Sequence, residues 1–315
     1  MNILIVGGAG YIGGAVTDVL KTTNHKVRVY DSLVYEESYR KPVEFVYGDI
    51  RDYERLRTQL DWADAIIWLA ALVGDGACAI NPQLSMEINR NTVEWLSENY
   101  DGRIIFTSTC SVYGAQDGVL TEESPTIPLS VYANTKLAAE GYLKDKNSLI
   151  FRLGTLFGIS DLFARLRLDL VVNVLTVRAA LEGQLTVFGG EQFRPLMHVK
   201  DVAKAIFDYI NTEHTGIYNL HRQNVRIIDL AYQVRNHYPD TTVTRADMEF
   251  QDARNYRVSS DKIRSQLGWK PTFSIDDGII EIKELLDTRR LKDIFNPRYT
   301  NQAFLTQRVP ELQQV

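Results

Sequence analysis

Short runs of β-branched and aromatic residues alternate along the first half of the chain with longer segments whose apolar positions recur every three or four residues. NILIV (2–6), KVRVY (26–30), VEFVY (43–47), AIIWL (65–69), RIIFTS (103–108) and SLIFRL (148–153) are near-continuous apolar runs. Such runs read as strands covered on both faces. Between them, helical periodicity spans about 11–22, 52–61, 84–99 and 132–145. Strands alternating with helices predict an α/β fold: a doubly wound parallel sheet with helices on both faces and right-handed crossovers.

After FRLGTLFG (151–158) the alternation loosens. Helices are predicted near 169–182, 199–211, 228–238 and 275–286, and GIYNL (216–220) reads as one more strand. The expected organisation is a parallel-sheet domain over 1–165, to which the chain returns at about 195–222. A smaller C-terminal α+β lobe follows over 166–287, mainly 166–194 and 223–287. Residues 288–315 are polar and aperiodic, and read as a loosely held tail rather than a packed arm.

Composition narrows the class. With 315 residues, 45% hydrophobic and 24% charged, the chain can bury a sizeable core. A net charge of −5 and no basic stripe argue against a nucleic-acid partner. Two cysteines, Cys78 and Cys110, give no disulfide framework and suit a reducing cytoplasm, where both read as small buried residues. The five histidines lack metal-ligand spacing, so no metal is expected. The apolar N-terminus is too short to span a membrane and lacks the features of a signal peptide.

Candidate chemistry starts at VGGAGYIG, which places Gly7, Gly10 and Gly13 between the first strand and first helix. Glycines there permit a tight turn and close approach of a pyrophosphate, and the helix N-terminus supplies free N–H groups. Tyr11 and Ile12 belong to the same loop. Asp31, followed by Ser32, ends the second strand, where a carboxylate accepts bonds from an adenosine ribose and repels a 2′-phosphate. NAD is therefore expected over NADP. Asp49 and Ile50 follow the third strand and are placed to meet the adenine, while Asp52 caps the next helix. Leu69, Ala70 and Ala71 end the fourth strand with small residues that let a dinucleotide pass.

SVYANTK (130–136) sets Tyr132 and Lys136 four residues apart on one helix face. An ammonium beside a phenol favours the phenolate, and an oxidised nicotinamide pushes the same way. A tyrosine so tuned can act as a general base. Thr109, leaving the fifth strand in TSTCSVYG, is placed to offer its hydroxyl to the same substrate oxygen.

Taken together, GGAGYIG, Asp31, GDIRD, LAAL, TSTCSVYG, YANTK, FRLGTLFG and RPLMHVKDVA resemble the extended short-chain dehydrogenase/reductase family, in its NAD-dependent epimerase/dehydratase branch. The resemblance covers about 1–287. It implies a Rossmann domain carrying NAD and a lobe binding a nucleotide sugar. Tyr132 would be the acid/base, Lys136 would hold the cofactor ribose and the tyrosine's pKa, and Thr109 would orient the reacting hydroxyl. Asn89 matches a family asparagine behind the active site and is grouped with the cofactor residues. Many relatives dimerise through the helices that are here 84–99 and 132–145, so a cytoplasmic homodimer is expected.

The resemblance also implies oxidation at C4 of the sugar, after which the ketone can be turned over, released or dehydrated. Family dehydratases carry Asp-Glu directly after the threonine; here these positions are Cys110 and Ser111, which suits dehydration poorly. An epimerase is the favoured reading. A 4-dehydrogenase stays open, because 70–82 and 151–173 resemble a sub-branch containing GDP-heptose 4-dehydrogenases as well as epimerases. A non-catalytic NAD sensor and a steroid- or flavonoid-type reductase are further alternatives. Arg194 and Arg254 match positions that grip the substrate pyrophosphate, for which the guanidinium fork is suited. Asn173 and, less directly, Arg167 are further candidates for the phosphates. The family's epimerases usually carry an asparagine near Thr155, which this sequence lacks, and His198 reads as a structural loop residue.

Overall fold

In a computed structural model of the chain, the described residues are 1–161, 163, 165–247 and 255–313. Seven parallel strands form the central sheet: β1 (Asn2–Val6), β2 (Lys26–Asp31), β3 (Glu44–Tyr47), β4 (Ala65–Trp68), β5 (Arg103–Thr109), β6 (Ser148–Leu153) and β7 (Gly216–Leu220). Their spatial order is β7-β6-β5-β4-β1-β2-β3, the doubly wound arrangement expected from the sequence.

The period of two along each strand builds two cores. From β1, Ile3 and Ile5 face Val16, Leu20, Phe151 and Ile206, while Leu4 and Val6 face Leu56, Trp68, Leu96 and Phe106 on the opposite side. Every residue of β4 and β5 is buried, which explains their unbroken apolar runs. Each large apolar side chain so covered contributes roughly 1.5–3 kcal/mol.

Order reverses at β1, which pairs with β2 on one side and β4 on the other. The crevice beyond the carboxyl ends of β1 and β4 is therefore the switch point at which such sheets bind ligands. A second layer lies beyond it. Thr155–Phe157 pairs parallel with Phe193–His198, which pairs antiparallel with Gln223–Arg226. Gln184–Phe188 pairs with Thr242–Ala246. Phe157, Val172, Leu185, Leu196, Leu230 and Ile279 form the core of this region.

Two expectations change. The single helix expected over 84–99 is Pro82–Met86, a π-helical turn Glu87–Asn91, and Thr92–Asn99. The wider turn rotates Asn89 into the interior, where it is buried. The C-terminal residues are not a loose tail. Pro297–Tyr299 forms a 3₁₀ turn and Asn301–Leu312 a helix whose Leu305 packs with Leu72, Cys78 and Leu84.

Candidate functional site

The chain turns sharply at Gly7 with φ of 84° and passes so close to β4 that a Cβ there would lie 2.5 Å from the Ala70 nitrogen. A Cβ at Gly13 would strike the Gly8 backbone at the same distance, so this glycine lets the first helix, Tyr11–Leu20, close on the loop. Gly10 differs: a Cβ there meets only the Gly7 carbonyl, at 3.3 Å, and otherwise open space. Gly10 is also the N-cap, and no side chain caps the helix. The open ground before an uncapped helix N-terminus suits a pyrophosphate.

Tyr11 braces the loop by donating from its hydroxyl to the Gly158 carbonyl at 2.6 Å. Asp31 accepts from the Ala9 amide at 3.0 Å and the Leu33 amide at 2.7 Å. Burial pushes its carboxyl up, and these two amides partly offset the rise. Asp49 is also pushed up by burial, but its ion pair with Arg51 at 2.8 Å outweighs this and holds it below the ordinary range.

One cavity collects these features. Gly7, Gly10, Tyr11, Ile12 and Gly13 form one wall. Asp31, Ser32, Asp49 and Ile50 lie towards one end, and Leu69, Ala70 and Ala71 along the floor of β4. These residues fit a dinucleotide. Among the contributors that the sequence reading missed are Tyr35, Glu36, Arg165, Asn301 and Leu312.

A second cavity opens from the first, sharing Ile12, Leu69, Ala71, Leu156 and Arg167 with it. It holds Thr109, Tyr132, Lys136 and Arg194, together with Asp75, which the sequence reading did not single out. The helix Val131–Leu143 positions Tyr132 and Lys136; its N-cap Ser130 accepts from the Ala133 amide and donates to Asp75 at 2.7 Å. Thr109 accepts from the Ser111 amide at 3.1 Å, which fixes its side chain at the end of β5.

Lys136 is buried, with its ammonium 4.5 Å from the centroid of Phe106. Among the described residues no carboxylate ion-pairs with it. Burial lowers its pKa to about 8, against the pull of Cys78 and Glu140. One turn below, Glu140 forms a buried bidentate pair with Arg152 at 2.7 and 3.0 Å and accepts from Ser108.

The expected lowering of the Tyr132 pKa by Lys136 is not what this geometry gives. Burial raises the phenol, and Cys78 and Asp75 raise it further; the chief opposing influences are Arg167 and the Thr109 hydroxyl. The reason is desolvation: the helix face that aligns the pair also buries both groups, and each resists charging there.

Other expectations are corrected by hydrogen bonding. Asn89 lines neither cavity; its amide clamps Leu72, accepting from N at 2.7 Å and donating to O at 2.8 Å, and reaches Thr135. Asn173 likewise lines neither cavity. It accepts from the Gly158 amide and donates to the carbonyls of Gly158 and Arg167, so no polar atom is left for a phosphate. Arg167 forms a bidentate pair with Asp169 at 2.7 and 3.1 Å. Arg254 lies outside the described residues. His198 faces Glu281 at 3.0 Å and caps the helix Val199–Ile210.

The model of the NAD dependent epimerase/dehydratase family matches residues 3–220. The chain belongs to this family. Its cofactor is NAD, and it is an enzyme of the extended short-chain dehydrogenase/reductase type. A UDP-glucose 4-epimerase of Rhizobium meliloti is 30% identical over 310 residues, covering 87% of this chain and 93% of its own. One from Halalkalibacterium halodurans is 28% identical, covering 89% and 94%. Among solved structures, the UDP-glucose 4-epimerase of Thermotoga maritima with UDP-glucose aligns with a TM-score of 0.80 at 24% identity, over 91% of this chain and 99% of that one. A dTDP-glucose 4,6-dehydratase from Streptomyces venezuelae aligns at 0.79 and 24%, over 92% and 98%. No helix among the described residues is long and apolar enough to cross a membrane.

Proposed function

We propose that the protein is a nucleotide-sugar epimerase that works through a transient 4-keto sugar, with Tyr132 as acid/base. The observation that carries this reading is the shared wall of the two cavities: Thr109, Tyr132 and Lys136 face a cleft that opens onto the glycine loop through Ile12, Leu69 and Ala71. NAD, when bound, supplies the hydride acceptor and a cationic ring. As the phenolate, which the cationic ring of the bound cofactor would favour against the effect of burial, Tyr132 takes the proton of the sugar C4 hydroxyl and later returns it, and Thr109 orients that hydroxyl. Lys136 holds the cofactor ribose and, with no carboxylate paired to it among the described residues, keeps its charge directed at the site. Arg194 on the far side of the cleft meets the substrate diphosphate, with Arg254 a further candidate. The 166–287 region is the substrate lobe, and the helices around Tyr132 form a homodimer contact.

Two features support inversion over the alternatives. Cys110 is fully buried, its thiol is pushed up by desolvation and donates to the Arg152 carbonyl, so it cannot serve as the acid a dehydratase needs. The C-terminal helix closes on the cofactor cavity through Asn301 and Leu312, which favours a retained cofactor and a redox-neutral cycle over net dehydrogenation. NMR of UDP-, GDP-, CDP- and dTDP-sugars incubated with the protein tests this. A new epimer without net redox change supports the reading; a ketone with accumulating NADH replaces it by a 4-dehydrogenase.

A further inference from the structure

Arg165 is buried, at 4% exposure, and lines the same cavity as the glycine loop. Its position is built from three sides. The guanidinium lies over the Tyr35 ring, 3.6 Å from the centroid. Nε and Nη2 donate to the Arg298 carbonyl at 3.2 and 3.1 Å, and Nη1 donates to Asn301 Oδ1. These contacts orient the group without neutralising it. Its neighbours are charge-balanced, Arg167 by Asp169 and Arg298 by Glu36. Among the described residues no carboxylate ion-pairs with Arg165.

A buried guanidinium without a counter-ion is costly unless an anion arrives. Burial lowers its pKa to about 10, against the pull of Tyr35, Asp169 and Glu36. Of its five N–H donors, three are spent on Arg298 and Asn301, which leaves one on each terminal nitrogen. Donors on both terminal nitrogens of a guanidinium fit the oxygens of a phosphate. The same cavity holds the open ground at Gly10 and the uncapped helix N-terminus. Of the carboxylates that line the cavity, Asp31 is engaged by the Ala9 and Leu33 amides, Asp49 by Arg51 and Glu36 by Arg298, which leaves Arg165 and the helix N-terminus to meet an incoming anion.

We propose that Arg165, held in place by Tyr35 and the C-terminal arm, binds the cofactor diphosphate together with the glycine loop. The glycine loop would supply backbone donors and Arg165 the neutralising charge, so docking of the arm and retention of the cofactor are coupled through one side chain. The inference rests on NAD being the cofactor and not on the sugar chemistry.

Calorimetric titration of the nucleotide-free full chain with NAD, NADP, ADP-ribose and adenosine tests it in wild type, Arg165→Gln and Arg165→Lys. For Arg165→Gln the dissociation constants of NAD and ADP-ribose should rise roughly 10- to 100-fold, as expected for lost hydrogen bonds to a charged group. Adenosine, which lacks the diphosphate, should bind within about twofold of wild type. Arg165→Lys keeps bulk and charge but loses the fork; it should weaken NAD and ADP-ribose by a smaller factor, and this variant decides the matter if Arg165→Gln does not fold. Equal weakening of adenosine and NAD would show a merely structural role and overturn the proposal. So would loss confined to NADP, which would assign Arg165 to a 2′-phosphate, and so would unchanged affinities throughout.

Discussion

The Arg51 guanidinium donates through Nη1 to the Leu312 carbonyl at 3.0 Å, tying the turn after β3 to the last turn of the C-terminal helix. A second tie joins Arg298 to Glu36 at 2.9 Å, and Asn301 reaches the Val73 carbonyl. The arm therefore bridges both edges of the glycine-loop cavity. Truncation after residue 299 should leave the sheet folded but speed NAD release by roughly tenfold or more, since each 1.4 kcal/mol of lost contact is a factor of ten. Stopped-flow displacement of bound cofactor measures it.

Lys136 supplies a prediction with a defined sign. Its folded pKa of about 8 lies below its ordinary value of 10.5, so between these pH values the unfolded chain binds more protons than the folded one. Stability attributable to this group therefore rises with pH across that window. In nucleotide-free protein, Lys136→Met should be more stable than wild type at pH 7, by on the order of 3 kcal/mol before new packing is counted. The difference should shrink as pH approaches 10.5. Denaturant midpoints at several pH values check it.

His221 behaves as a buried neutral ring. It is bonded to Ser260 at 2.6 Å and faces the Asn224 amide, and burial lowers its pKa to about 4. Its contribution to stability is full above the ordinary value of 6.5 and lost as pH falls towards 4. The expected result is an imidazole signal titrating near 4 by NMR, with acid unfolding less steep in His221→Asn.

Beneath Lys136, Glu140 and Arg152 are both nearly inaccessible to solvent, and Arg152 also donates to Tyr113 at 2.9 Å. Glu140→Gln keeps the shape of the side chain but leaves a buried guanidinium unbalanced. Thermal unfolding should show a loss of roughly 3–5 kcal/mol. Because the pair supports the helix that carries Tyr132, activity should fall with it.

Much of this was legible in the residues themselves. Buried parallel strands announce themselves as continuous apolar runs, and the glycine spacing fixes where the cofactor end must be. Tyr132, Lys136 and Thr109 come together because strand ends and a helix face are local geometry. What escaped reading depends on contacts distant in sequence. Arg165 is one arginine among many until Tyr35 and Asn301 converge on it. Asn89 and Asn173 have the chemistry of binding residues, but their amides are consumed by the backbone of Leu72, Gly158 and Arg167. The arm did leave a trace: Leu305, Val309 and Leu312 recur at helical spacing, although Pro310 interrupts the pattern.

The central claim is that the Tyr132 hydroxyl moves the proton of the reacting carbinol. The most direct measurement compares wild type and Tyr132→Phe, at matched NAD content, on the first nucleotide sugar that NMR shows to be converted. The account predicts that turnover falls roughly 10²- to 10⁴-fold, the range of general acid–base catalysis, while NAD stays bound. Turnover equal to wild type in the phenylalanine variant would contradict it.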